Sequence, residues 1–261
     1  MEKRKWGMEI KIRCFLANSI KMTRYIAMIP ARLGSKRVPK KNLRLLGDKP
    51  LVAHVLETAV ASEIFDEVYL NSEADIFSDI ARDYGAKFYK RPAVFSSDMA
   101  TNDQFALDFI ENVSCDVLVQ INPTSPFLNK ADIQCAKDMF EKNHCDTVLA
   151  VEEKRIEGVF REKAINYNTL EPMPPSQHLT PIYVFCNGIL SWRTDVFRKN
   201  IKNYSCAVYG GDGKTDYLVL KGDSVIDIDS DDDFSFAELV LEHRLKNMRP
   251  VPRYWNKSRS I

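Results

Sequence analysis

Two stretches of the chain carry residue types whose spacing would let them do chemistry together. The first is Ile29-Pro30-Ala31-Arg32-Leu33-Gly34-Ser35-Lys36-Arg37-Val38-Pro39-Lys40-Lys41-Asn42, which crowds Arg32, Lys36, Arg37, Lys40 and Lys41 around one serine and one glycine, the glycine allowing an awkward backbone angle. Such cations repel one another unless a polyanion sits among them, so the stretch reads as a phosphate loop. It is not the Walker pattern, because a single glycine is present and no Gly-Lys-Ser/Thr closes it, and side chains would grip the anion as well as backbone amides. A solvated basic turn is the bland alternative. The second stretch is Ser224-Val225-Ile226-Asp227-Ile228-Asp229-Ser230. On a strand, alternate side chains share a face, so Asp227 and Asp229 would converge while Ile226 and Ile228 turn the other way. Two ionised carboxylates that close call for a cation between them, and hard oxygen ligands beside a phosphate suit Mg²⁺.

The elements that must position these residues follow from periodicity. Tyr25–Ile29 is a short apolar run ended by Pro30, the pattern of a buried strand, and Leu51–Val60 repeats apolar residues at helical spacing. Strands are predicted at Glu67–Ser72, Ala86–Tyr89, Val117–Ile121, Thr147–Val151 and Tyr217–Leu220, with helices at Asp75–Tyr84, Asp103–Asn112, Asp132–Lys142, Thr194–Lys199 and Phe234–Leu245. This alternation predicts an α/β fold with a mainly parallel sheet, whose ligands lie at the carboxyl ends of strands. From Glu152 to about Gln177 the alternation breaks in a charged, proline-bearing segment, and Tyr183–Trp192 returns as an aromatic stretch with an Asn187-Gly188 hairpin signal. The expected organisation is a basic extension over residues 1–22, a nucleotide-binding domain over 23–151 and 206–245, an inserted subdomain over 152–205, and a basic tail over 246–261.

The 261 residues balance 37 basic against 36 acidic side chains, so no global field points to nucleic acid or an anionic membrane. The 45% hydrophobic content supports a substantial core, no run approaches membrane-spanning length, and the first 22 residues hold no uninterrupted signal-peptide core. Six dispersed cysteines with no Cys-x-x-Cys pair fit a reducing, cytoplasmic setting. The four histidines lack metal-ligand spacing and read as structural or solvated.

Ile29-Pro-Ala-Arg-Leu-Gly-Ser-Lys…Pro39-Lys-Lys-Asn42, Lys90-Arg-Pro92, Pro123-Thr-Ser-Pro126 and Ile226-Asp-Ile-Asp229, in that order, resemble the acylneuraminate cytidylyltransferases and their nonulosonate relatives. The resemblance implies a Rossmann-like three-layer nucleotidyltransferase fold with a small inserted dimerisation subdomain. It further implies transfer of CMP from CTP to the anomeric hydroxyl of a nine-carbon 2-keto sugar acid, with release of pyrophosphate. By motif position Arg32, Ser35, Lys36 and Lys41 would hold the triphosphate, Asn42, Arg91, Asn102 and Asn122 would contribute to nucleotide binding, and Asp227 and Asp229 would hold Mg²⁺. Relatives form homodimers in which the insertion reaches over the partner's site.

Two departures bear on the acceptor. Asn122 and Leu128 stand where the family commonly has Gln and Arg, and Phe185-Cys186-Asn187-Gly188 lacks the arginine that sialate-using members place before this turn. Losing such a charge-assisted contact costs on the order of 1.5 to 3 kcal/mol unless another group replaces it, and Arg193, Lys154 and Arg155 are the nearby cations. The competing readings are a nucleotidyltransferase for an eight-carbon ulosonate or a sugar 1-phosphate, and a catalytically silent nucleotide-binding protein.

Overall fold

Tyr25–Pro30, strand β1, is apolar on both faces because both are covered. Tyr25, Ala27 and Ile29 enter one core cluster, and Ile26 and Met28 enter another. The computed structural model describes residues 22–246, and the readings of the amino-terminal extension and of the basic tail fall outside that range apart from its end residues. After β1 come the two-residue ribbon strands β2 (Leu45–Leu46) and β3 (Lys49–Pro50), helix α1 (Leu51–Ser62), β4 (Glu67–Ser72), α2 (Ile76–Asp83) and β5 (Lys87–Lys90). Then follow α3 (Asn102–Asn112), β6 (Val117–Ile121), α4 (Lys130–Lys142), β7 (Thr147–Lys154), the hairpin β8 (Val159–Phe160) and β9 (Lys163–Ala164), β10 (Ile182–Arg193), α5 (Thr194–Tyr204), β11 (Thr215–Leu220) and α6 (Asp231–Leu245).

The main sheet has the order β11-β7-β10-β6-β1-β4-β5, and every neighbouring pair is parallel except those made by β10. Helices α1, α2 and α4 pack Val52, Leu56, Phe77, Ala81, Ile133 and Phe140 onto one face. Helices α3 and α5 pack Phe109, Ile110 and Phe197 onto the other. A third cluster joins Val38, Leu46 and Leu51 to Phe127, Ile228, Phe234 and Ala237, so α6 is anchored beneath the phosphate loop rather than on the sheet. The chain winds outward from β1 through β4 to β5 and returns at β6, which leaves a crevice above the carboxyl ends of β1 and β6 where an open α/β sheet places ligands.

Three expectations change. Tyr183–Trp192 is no hairpin. It lies within one twelve-residue strand, β10, that is interrupted by a register shift between Phe185 and Leu190, with Asn187 at φ 53°. A left-handed asparagine can break a ladder without reversing the chain. Gly188 beside it is required by close approach, since an added Cβ would stand 3.1 Å from Ser125 Oγ on the loop after β6. Because β10 and α5 belong to the main sheet and its helical layer, the excursion outside the sheet is confined to the stretch between β7 and β10 and carries the β8–β9 hairpin. Finally, Ile226–Asp229 is not a strand. It is an extended linker after a 3-10 turn at Gly222–Val225, fastened by the Ile228 amide donating to Thr124 O at 2.8 Å.

Candidate active site

The crevice holds a cleft of about 520 Å³, lined among others by Arg32, Ser35, Lys36, Arg37, Lys41, Asn42, Arg91, Asn122 and Thr124. The loop after β1 therefore turns Arg32, Lys36, Arg37 and Lys41 toward the cleft, while Lys40 stays exposed outside it. Gly34 has no left-handed backbone angle, contrary to the expectation from sequence, and a Cβ placed there would meet nothing within 4 Å. The residue that carries the unusual backbone is Lys40, at φ 51° and ψ 35°, just ahead of the 3-10 turn Lys41–Leu43. A left-handed lysine costs about 1–2 kcal/mol, and here it turns Lys41 and Asn42 inward, where both are buried.

The cations fall into two groups by partner. Arg32 Nη1 lies 3.1 Å from Asp98 Oδ1 and Lys36 Nζ 2.6 Å from Asp98 Oδ2, so one carboxylate from the loop ahead of α3 is clasped by both. These cations hold Asp98 below the ordinary carboxylate pKa, with the Lys36 hydrogen bond first. Arg37 Nη2 and Lys41 Nζ lie 2.9 and 3.2 Å from Asp229 Oδ1. Lys41 also donates to Ile228 O at 2.6 Å. The loop and the linker thus meet, as their chemistry required, although Asp227 and Asp229 stand beside the cleft rather than among its lining residues.

Asp227 is the more enclosed carboxylate. Burial first, and then the charge of Asp229, push its pKa above the ordinary aspartate value, against a lowering hydrogen bond from Thr124. Its Oδ1 is buried and has no hydrogen-bond partner. Asp231, Asp232 and Asp233 begin α6, one turn ahead of the Phe234 start expected from periodicity: Ser230 caps the helix, and Asp233 accepts from the amides of Asp229 and Ser230 at 3.0 and 2.7 Å. Arg44 reinforces the junction, stacking 3.9 Å from the centre of the Phe234 ring and meeting Asp231 Oδ1 at 2.5 Å.

The remaining sequence candidates divide. Asn42 Nδ2 donates to Arg32 O at 3.1 Å, and Arg91 donates to Ala31 O at 2.9 Å with only 3% of its side chain exposed, so both brace the loop from within. Asn122 is committed at both ends of its amide, accepting from Gln120 Nε2 at 2.9 Å and donating to Asn187 O at 2.6 Å. Asn102 opens α3, and its buried Oδ1 is without a partner. Arg193 is excluded as an acceptor ligand: β10 runs against β6, so Arg193 pairs with Val117 at the opposite end of the sheet and donates to Phe140 O and Cys145 O. Lys154 and Arg155 do emerge on the cleft side, at the end of β7. Two further residues shape the site. Asp98 belongs to the segment Ser96–Asn102, which the rule that ligands gather past strand ends marks in the sequence, whereas Glu73, the first residue after β4, lies outside the sequence reading.

A mainly parallel α/β sheet with a polycationic cleft at its switch point defines a nucleotide-binding protein of the doubly wound class. The chain belongs to the cytidylyltransferase family, whose model matches residues 26–173. It is 29% identical over 244 residues to N-acylneuraminate cytidylyltransferase of Escherichia coli O18:K1:H7, covering 90% of this chain and 55% of that one. It is 35% identical over 134 residues to pseudaminic acid cytidylyltransferase of Campylobacter jejuni, covering 49% and 58%. The fold superposes on a CMP:2-keto-3-deoxy-manno-octonic acid synthetase complexed with CTP at a TM-score of 0.63 and 16% identity, over 85% of this chain and 100% of that one. The chain spans about half the length of several of the curated relatives it matches.

Proposed function

We propose that this protein transfers CMP from CTP to the anomeric hydroxyl of a nonulosonate, a nine-carbon 2-keto sugar acid, and releases pyrophosphate. The observation that carries the reading is the junction at Lys41, where the cationic loop after β1, which lines the cleft, meets the carboxylate linker before α6 at the edge of that cleft. Arg32, Ser35, Lys36 and Lys41 hold the triphosphate and neutralise the charge that grows on the departing pyrophosphate, a role in which fixed cations act with no reorganisation at the moment of reaction. Asn42 and Arg91 hold the loop in shape, and Asn102 presents an unpaired amide oxygen from the helix that opens beside Asp98.

The donor set fits Mg²⁺. Asp227 offers a buried oxygen with no protein partner, and Asp229 stands close enough to raise its pKa. An ion held by these two carboxylates would complete its shell with substrate phosphates and water. When bound, the ion would polarise the phosphoryl group and acidify the attacking hydroxyl.

The acceptor enters from the end of the cleft toward β7, where its carboxylate would have to take Lys154 from Glu152 or Arg155 from Glu153. We also propose a homodimer, supported by the outward apolar pair Val159 and Phe160 on the β8–β9 hairpin, each 62% exposed. Cytoplasmic placement is part of the same reading, on the scattered thiols. Release of pyrophosphate from CTP, assayed over a panel of nonulosonates, an eight-carbon ulosonate and sugar 1-phosphates, tests the function. Turnover with a sugar 1-phosphate and with no ulosonate would overturn it.

A further inference from the structure

Glu73, the first residue past β4, sends its carboxylate across the crevice floor to the loop after β1. Its Oε1 accepts from the Leu33 amide at 2.8 Å, and its Oε2 lies 3.4 Å from Arg91 Nη2. The same Arg91 nitrogen donates to Ala31 O at 2.9 Å. With Asn42 Nδ2 on Arg32 O at 3.1 Å, backbone groups of all three residues Ala31, Arg32 and Leu33 are tied from below. Only 19% of the Glu73 side chain and 3% of that of Arg91 are exposed, so the pair is shielded from water and its geometry is fixed. Burial acts to raise the pKa of Glu73, but the Leu33 amide, its own amide, the Ser96 hydroxyl and then the Arg91 charge hold it below the ordinary value, so the carboxylate stays ionised. Without this anion Arg91 would keep the Ala31 carbonyl and the face of the Phe105 ring but lose its ion-pair partner, and the Leu33 amide would lose its acceptor, a burial that the local backbone would relieve by moving.

We infer that Glu73 is a positioning residue for the triphosphate: through Arg91 and the Leu33 amide it sets the backbone conformation from which Arg32, Ser35 and Lys36 enter the cleft. It touches no substrate. The inference deepens the proposed function and rests on the cleft taking CTP.

Glutamine at this position turns an amide group toward either Leu33 N–H or Arg91, donor against donor whichever way it flips. Binding of CTP, of inorganic tripolyphosphate and of cytidine is measured with Mg²⁺ present, on the full chain and on Glu73→Gln, by calorimetry for the first two and by ligand-observed NMR for the nucleoside. CTP and tripolyphosphate are expected to weaken together by about tenfold or more, with cytidine changed less than about twofold. An unchanged tripolyphosphate affinity would overturn the inference, and so would an equal loss for all three ligands, which marks a general structural defect. If Glu73→Gln does not fold, Glu73→Asp decides: it keeps a charge for Arg91 but is one methylene too short to hold Leu33 as well, and undiminished tripolyphosphate binding by it would overturn the role. Should the unmodified chain bind neither CTP nor tripolyphosphate, the functional reading itself falls and takes this one with it, an outcome distinct from a difference confined to the variants.

Discussion

Lys41 donates to the carbonyl of Ile228 at 2.6 Å and stands 3.2 Å from Asp229, so a single ammonium stitches the first motif of the chain to the last. It is buried, whereas the neighbouring Arg37 that shares Asp229 has 69% of its side chain exposed. The buried member is shielded less by solvent and has the stronger claim on the site.

Lys41→Ala removes both a transition-state cation and this tie. Loss of one preorganised electrostatic group costs about 10²–10³ in turnover, and Lys41→Ala and Asp229→Ala are each expected to fall in or below that range at saturating CTP and Mg²⁺. Both should also lower the melting temperature, Lys41→Ala because the Ile228 carbonyl loses its buried donor and Asp229→Ala because buried Lys41 loses its carboxylate. Initial-rate pyrophosphate release and thermal unfolding read the two effects separately, and near-normal turnover of either variant would refute the assignment.

Asp98 behaves differently. Its carboxylate occupies Arg32 and Lys36, the cations assigned to phosphate, and it does so as an exposed contact of a kind that contributes little to stability. A triphosphate must displace it. Asp98→Asn is therefore expected to leave the melting temperature nearly unchanged and to tighten CTP binding several-fold at low ionic strength, an advantage that fades as salt rises. Calorimetric titration at two salt concentrations measures it, and weaker binding by the variant at both would contradict the place-holder role.

Much of this arrangement was legible in the sequence. Apolar runs bounded by turns located β1, β6 and β7, and the crowding of Arg32 through Lys41 in sequence marked out a loop whose cations line the cleft. What the one-dimensional pattern could not show was partnership. The Asn187-Gly188 pair signals a hairpin locally, yet tertiary pairing with both β6 and β7 holds the chain straight through it. Ile226–Asp229 alternates like a strand, but its amides find Thr124 and Asp223 instead of a ladder. Arg193 is near Asn187 in sequence and a strand's length away in space, because β10 runs opposite to its neighbours. Glu73 and Asp98 carry no motif of their own, so only the folded edge of the sheet brings them to the loop.

Asp227 places function against stability. Its Oδ1 is buried without a partner, and the pKa of the group is raised by burial and by Asp229, so in the absence of a cation its ionised form is a cost to the fold. Asp227→Asn removes that charge at nearly constant volume. The variant is expected to melt higher than the parent at neutral pH with no Mg²⁺ or CTP, and to lose turnover by about 10² or more. Added Mg²⁺ with CTP should then raise the melting temperature of the parent more than that of the variant. A lower melting temperature for the ligand-free variant would show that the buried carboxylate is stabilised in some other way.

His54 gives the fold a pH dependence that is separate from the chemistry. It is buried in α1 with Nε2 2.9 Å from Leu46 O, and burial, partly opposed by that carbonyl, lowers its pKa from 6.5. The folded protein therefore binds fewer protons at this site than the unfolded chain does as pH falls through 6.5. Stability from this group is complete above that value and is lost as the pH drops toward the lower folded-state value. Leu46 belongs to the cluster that also holds Val38, Ile228 and Phe234, so the loss is felt beneath the phosphate loop and its carboxylate linker. Melting temperatures measured at about pH 7.5 and about pH 5.5 should fall for the parent, and His54→Gln, which cannot take up the proton, should show a shallower fall. Equal slopes for the two proteins would assign the acid sensitivity to other groups.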